Sequence, residues 1–119
     1  MSDGDPIAFP RPHVTASGSH AVVAFNRLEL KAILDVYGRR VAAGDWRDYA
    51  IDMTRDSAVF SVFRRASEVP IYRIEKSPKL ARKQGAYAVI TASGLILKRG
   101  TELKRVLAVL DKSMHLVTD

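Results

Sequence analysis

The stretch DYAIDMTRDSAVFSVF, residues 48–63, decides the fold. In its first part Tyr49, Ile51 and Met53 alternate with Asp48, Ala50 and Asp52, the period-two pattern of a half-buried strand. RDS, residues 55–57, is a turn signal. AVFSVF, residues 58–63, then reads as a strand apolar on both faces, with Phe60 and Val62 pointing one way and Val59 and Phe63 the other. Such a strand belongs in the middle of a sheet.

Towards the C-terminus, RRASE (64–68) makes another turn and VPIYRIEK (69–76) a third strand. Pro70 has no N–H for a ladder, so it falls at that strand's start or on an edge. AYAVITASGLILKR (86–99) reads as a hairpin about Ser93-Gly94. A two-residue loop sets Ile90 against Leu97 and Ala92 against Leu95, and gathers Ala88, Ile90, Ala92, Leu95 and Leu97 on one face. Thr101 is placed to cap a last helix with an apolar stripe of Leu103, Val106, Leu107, Leu110 and Met114.

Towards the N-terminus, Asn26 and Glu29 form a capping-box pattern that opens a helix. Leu30, Ile33, Leu34, Tyr37 and Val41 follow the spacing of one buried face, and Gly44 is a C-terminal stop. HAVVAF (20–25) is an edge strand or a hydrophobic lead-in. Residues 1–20, rich in Pro, Gly and Ser, read as a flexible tail ahead of a single domain over 21–117. The expected fold is α+β: an antiparallel sheet of about five strands, a three-strand meander plus a hairpin, with one helix before it and one after it.

A chain of 119 residues supports one core. It has no cysteine, which excludes a disulfide framework, thiolate zinc sites and cysteine nucleophiles. MSDGDPIAFP carries acids where a secretion signal needs basic residues, and no apolar run is long enough to cross a membrane. The reading is cytoplasmic, with no membrane partner. Net charge is +6, and residues 73–112 carry ten basic residues against Glu75, Glu102 and Asp111. That asymmetry points to an anionic partner.

Enzyme chemistry finds little support. His13, His20 and His115 show no metal-ligand spacing, so no metal is expected. Glu29, Asp52, Glu75 and Lys76 are the residue types of a metal-dependent nuclease, but adjacent Glu75 and Lys76 point to opposite faces of a strand. No serine has a nucleophile-elbow context, and no glycine-rich phosphate loop occurs, so no cofactor is expected. Trp46 reads as a core residue closing the first helix onto the sheet, with a partner anchor as its other role.

Anion binding is better served. RIEKSPKLARKQGAY (73–87) holds Arg73, Lys76, Lys79, Arg82 and Lys83. Lys98 and Arg99 lead into the last helix and Lys104 lies in its first turn. If the loop folds over that helix end, these cations share one face with unpaired helix N–H groups. Tyr72 and Tyr87 bracket the loop, as packed strand residues or as stacking platforms for bases.

The runs YGRRVAAGDWRDYAID (37–52), FSVFRRAS (60–67) and YRIEKSPKLARKQG (72–85) are long and specific. On them the chain resembles a family of short alphaproteobacterial proteins of unknown function, over about residues 22–112. The resemblance implies a bacterial cytosolic origin and one domain, and brings no catalytic residue, cofactor or partner. The functional expectation is therefore a non-enzymatic binding module for an anionic partner, nucleic acid ahead of an acidic protein. The alternative is a homodimer or adaptor that works through an apolar sheet face.

Overall fold

The computed structural model describes residues 21–65 and 69–117, with side chains through Asp111. The tail expected over 1–20, with His13 and His20, lies outside the described residues, as do the side chains of Met114 and His115. Helix α1 spans Arg27–Ala42, and strands β1 Asp48–Met53, β2 Ala58–Phe63 and β3 Tyr72–Lys76 follow. A short 3-10 turn, Pro78–Leu80, leads to β4 Tyr87–Thr91, β5 Ile96–Gly100 and helix α2 Leu103–Val117. The strands form one antiparallel sheet in chain order β1-β2-β3-β4-β5, so the expected α+β architecture is the one observed.

Residues paired across the ladders share a face. Phe60 pairs with Ile51 and Ile74, and Ile74 with Val89; Val62 pairs with Tyr49 and Tyr72. These side chains make the helix-facing side of the sheet, where Phe60, Val62, Ile74 and Val89 cluster with Ile33 and Val36 of α1 and Val106, Leu107 and Leu110 of α2. Full burial of each large aliphatic or aromatic side chain contributes roughly 1.5–3 kcal/mol. Trp46 is 3% exposed in this core, against Tyr37 and Tyr72, and its indole N–H finds no partner among the described residues.

The helices run parallel. Leu28, Glu29 and Ala32 of α1 face Leu103 and Lys104 at the start of α2, while Arg39 and Arg40, near the end of α1, pair with Asp111. Packing against α2 turns the buried face of α1 to Glu29, Ile33 and Val36. Leu34 and Val41, expected in the core, are 36% and 40% exposed on the other flank. α1 ends as expected at Gly44. Gly44 N–H donates to Val41 O and Asp45 N–H to Arg40 O, the two bonds of a Schellman ending.

Two other expectations change in detail. The β4–β5 loop is three residues long, Ala92–Ser93–Gly94, closed by Thr91 N–H to Leu95 O and with Gly94 at φ 94°. Ile90 therefore pairs with Ile96, not Leu97. Leu97 is the extra residue of a bulge, beyond which Val89 meets Lys98 and Ala88 meets Arg99. The three-residue loop sets Leu97 on the Val89 side of the sheet, where it packs against the core, while Leu95 at the loop stays 61% exposed. At α2, the carbonyl that accepts the first helical bonds is that of Glu102, so the helix begins two residues after Thr101, which is not its cap.

Candidate anion-binding end of the sheet

Asn26 and Glu29 do more than start a helix. The Asn26 side chain accepts from Glu29 N–H at 2.8 Å, and Glu29 Oε1 accepts from Asn26 N–H at 2.7 Å. The same Oε1 accepts from Lys76 Nζ at 2.8 Å, and Tyr87 Oη donates to Oε2. Lys76 and Tyr87 are partners in the β3–β4 ladder, so one carboxylate ties the first turn of α1 to two strands. Lys76 Nζ also donates to Ala24 O at 2.8 Å, fixing the lead-in. Burial pushes the Glu29 carboxyl up, but the bonds from Lys76, Tyr87 and Asn26 outweigh it and hold it below its ordinary range. Burial, followed by the bond to Glu29, pushes the Tyr87 phenol up to about 12.

This knot sits at one end of the sheet, where the loop of residues 77–86 joins β3 to β4. The loop folds back on the end of β5. Gly85, at φ 103°, lies so close to Gly100 that a Cβ on it would stand 2.4 Å from the Gly100 carbonyl carbon. Arg99 Nη1 donates to Gly85 O at 3.3 Å. The loop thus lies against the junction that starts α2. Because the helices are parallel, the N-terminus of α1 is at this end as well. Helix N-termini carry unpaired N–H groups and the positive end of the dipole. Between them runs an open groove of 390 Å³ lined by Leu28, Glu29, Ala32, Glu102, Leu103 and Lys104.

The expected site residues divide. Arg82, Lys83 and Lys104 are exposed at this end and make no ion pair among the described residues. Arg99 is beside them through Gly85. Lys79 is also there, paired at 2.9 Å with Asp56 of the β1–β2 turn, a pairing that lowers the Asp56 pKa. Lys76 and Tyr87 belong to the Glu29 knot. Tyr72 packs on Trp46 with ring centroids 6.2 Å apart. Lys98 is exposed beside the bulge of β5. Arg73 is on the far face of the sheet, 3.7 Å from Glu75.

That far face is the one the alternative reading needs. Val59 and Phe63 are half-buried there, but the rows also hold Asp52, Arg73, Glu75 and Arg99. Ser61, Ala88 and Ile90 on this face are already buried, which fits long side chains lying across them. Among the described residues there is no cluster of three or more His, Asp or Glu able to hold a metal, and no helix long and apolar enough to cross a membrane.

The role of Glu29 is only half visible in the sequence. The capping box is a local signal, whereas Lys76 and Tyr87 lie 47 and 58 residues away. An ionisable residue inside the apolar arc of a helix, opposite a Lys and a Tyr on successive strands, is the only hint.

The fold is that of a small α+β domain with a meander sheet covered on one face. Residues 23–107 match the family described as "Protein of unknown function (DUF2794)", and the chain belongs to that family. No curated protein and no solved structure matches it.

Proposed function

We propose that this domain is a non-enzymatic binding module for an anionic partner, with nucleic acid the favoured class and an acidic protein the second. The observation that carries the reading is the convergence of two parallel helix N-termini and the 77–86 loop at one end of the sheet. Arg82, Lys83, Arg99 and Lys104 are its phosphate-binding set, with Lys79 joining when it leaves Asp56. Lys76, Tyr72 and Tyr87 serve the fold, which leaves no aromatic platform at this end among the described residues. Recognition therefore runs through phosphates and not through stacked bases. A homodimer or adaptor built on the far sheet face is less well supported, because its charged rows interrupt the apolar surface.

The test is fluorescence anisotropy with a short labelled single-stranded oligonucleotide over a salt series. Affinity should fall steeply with salt, and Arg82→Gln, Lys83→Gln and Lys104→Gln should each weaken binding for all base sequences. Neutralising one phosphate-binding cation should lower the log–log salt slope by about 0.7. Binding that ignores these substitutions, or no binding at near-physiological salt, overturns the nucleic-acid reading. A parallel titration with polyglutamate then decides whether an acidic protein takes its place.

A further inference from the structure

The outer edge of β1 is unlike the other edge of the sheet. β5 is interrupted by its bulge and carries Lys98 and Arg99, devices that discourage strand pairing. β1 is six residues in unbroken register, DYAIDM, without proline, glycine, lysine or bulge. No described backbone group pairs with its outer side, where the Asp48 side chain accepts from Tyr49 N–H at 2.8 Å and an added strand would take its place. An open edge of this kind is a template for one more strand.

The side chains around that edge specify the strand it takes. On the helix side, Tyr49 is 40% exposed, with Ile51 and Met53 half-buried behind it. Tyr37 of α1 meets Tyr49 edge-on, ring centroids 5.0 Å apart, so α1 overhangs this edge. Leu34 and Val41, on the same flank of α1 as Tyr37, stand 36% and 40% exposed. Together they give an apolar seam between a helix flank and a strand edge. On the opposite face, Asp48 and Asp52 are exposed, flank the small Ala50, and form no ion pair among the described residues.

We propose that the β1 edge and the α1 flank bind an extended segment of another polypeptide in which apolar residues alternate with lysine or arginine. The segment adds as a sixth strand. Its apolar side chains enter the seam beneath Leu34 and Val41, and its basic side chains lie beside Asp48 and Asp52. The same charges disfavour a second copy pairing β1 to β1 in the register that would face Asp48 with Asp52, because like charges directly opposite are destabilising. This site is distinct from the basic end of the sheet and takes a partner of opposite charge.

The probe is a capped peptide of alternating valine and lysine, titrated into the full chain, with hydrogen–deuterium exchange read along the backbone. Amides of residues 48–53 should gain protection. The Asp48→Lys/Asp52→Lys double variant should weaken binding at least fivefold and instead accept the matching valine–glutamate peptide. Leu34→Asp should weaken both. Peptide methylated on alternate backbone nitrogens should not bind, since it cannot form the ladder. Protection elsewhere, unchanged affinity in the double variant, or equal binding of the methylated peptide overturns the proposal. So does concentration-dependent self-association that protects residues 48–53 without peptide, which would assign the edge to a second copy.

Discussion

Lys76 on β3 and Glu29 in the first turn of α1 form an ion pair of 2.8 Å that joins the helix to the sheet, although 47 residues separate them. The pair is well shielded, with side chains 18% and 9% exposed, and every donor around the carboxylate is directed at it. Removing one partner therefore costs more than the pair contributes over an apolar replacement.

Glu29→Ala should destabilise the fold by about 3 kcal/mol, because it strands the Lys76 ammonium and removes half of the capping box. The Glu29→Ala/Lys76→Met double variant should recover part of that loss. Urea unfolding of the wild type and the two variants measures both. A single-variant loss under about 1 kcal/mol would show that Glu29 is not the joint between helix and sheet.

The knot also sets a pH dependence at both ends of the scale. The folded-state pKa of Glu29 is lowered from its ordinary 4.5, so its contribution is complete above that value and is lost as pH falls through the lowered one. Tyr87 has the opposite sign. Its pKa is raised from 10.0 to about 12, so its contribution is complete below pH 10.0 and is lost as pH rises towards 12. Stability of the wild type and of Tyr87→Phe, followed by urea unfolding from pH 9 upwards, should converge over that window. Curves that stay parallel would refute the assignment.

Gly85→Ala should be among the most damaging small substitutions. It forces a side chain onto a backbone at φ 103° and into the Gly100 carbonyl, where no flexible side chain can move aside. A loss of about 3 kcal/mol or more is expected, as for backbone strain combined with a clash. Thermal unfolding reads it, and a variant within about 0.5 kcal/mol of wild type would mean that the loop does not rest on β5.

Trp46 is the sole tryptophan, so its emission should be blue-shifted in the native state and move to the red on unfolding. Trp46→Ala should cost about 3–5 kcal/mol by opening a cavity. Trp46→Phe should cost much less, because it keeps most of the packing and removes a buried N–H that has no partner among the described residues. Equal losses in the two variants would show that the indole N–H is satisfied in solution.

The sheet is legible in the sequence because its signals are local. Period-two alternation in residues 48–53, the turn at 55–57 and the apolar run of β2 mark strands without reference to anything distant. The hairpin is legible only below Val89, since one residue more in the loop and one more at Leu97 shift the upper register and cancel lower down. The buried arc of α1 escapes for a different reason. Periodicity finds an apolar stripe, but packing against α2 decides which part of it is covered, and so Val36 is in while Leu34 and Val41 are out. Of the candidate site, the loop cations are visible as composition. The diversion of Lys76 and Tyr87 to Glu29 needs the β3–β4 pairing in three dimensions.

The parallel helices also impose an order on synthesis. Every strand in the meander can pair with its predecessor soon after it is made, whereas α1, the first helix made, faces a partner that is made last. Arg39 and Asp111 are 72 residues apart. A nascent chain halted before Leu103 should thus present Ile33 and Val36 to solvent and to any chaperone nearby, and proteolysis of arrested chains should show α1 becoming resistant only after α2 has emerged.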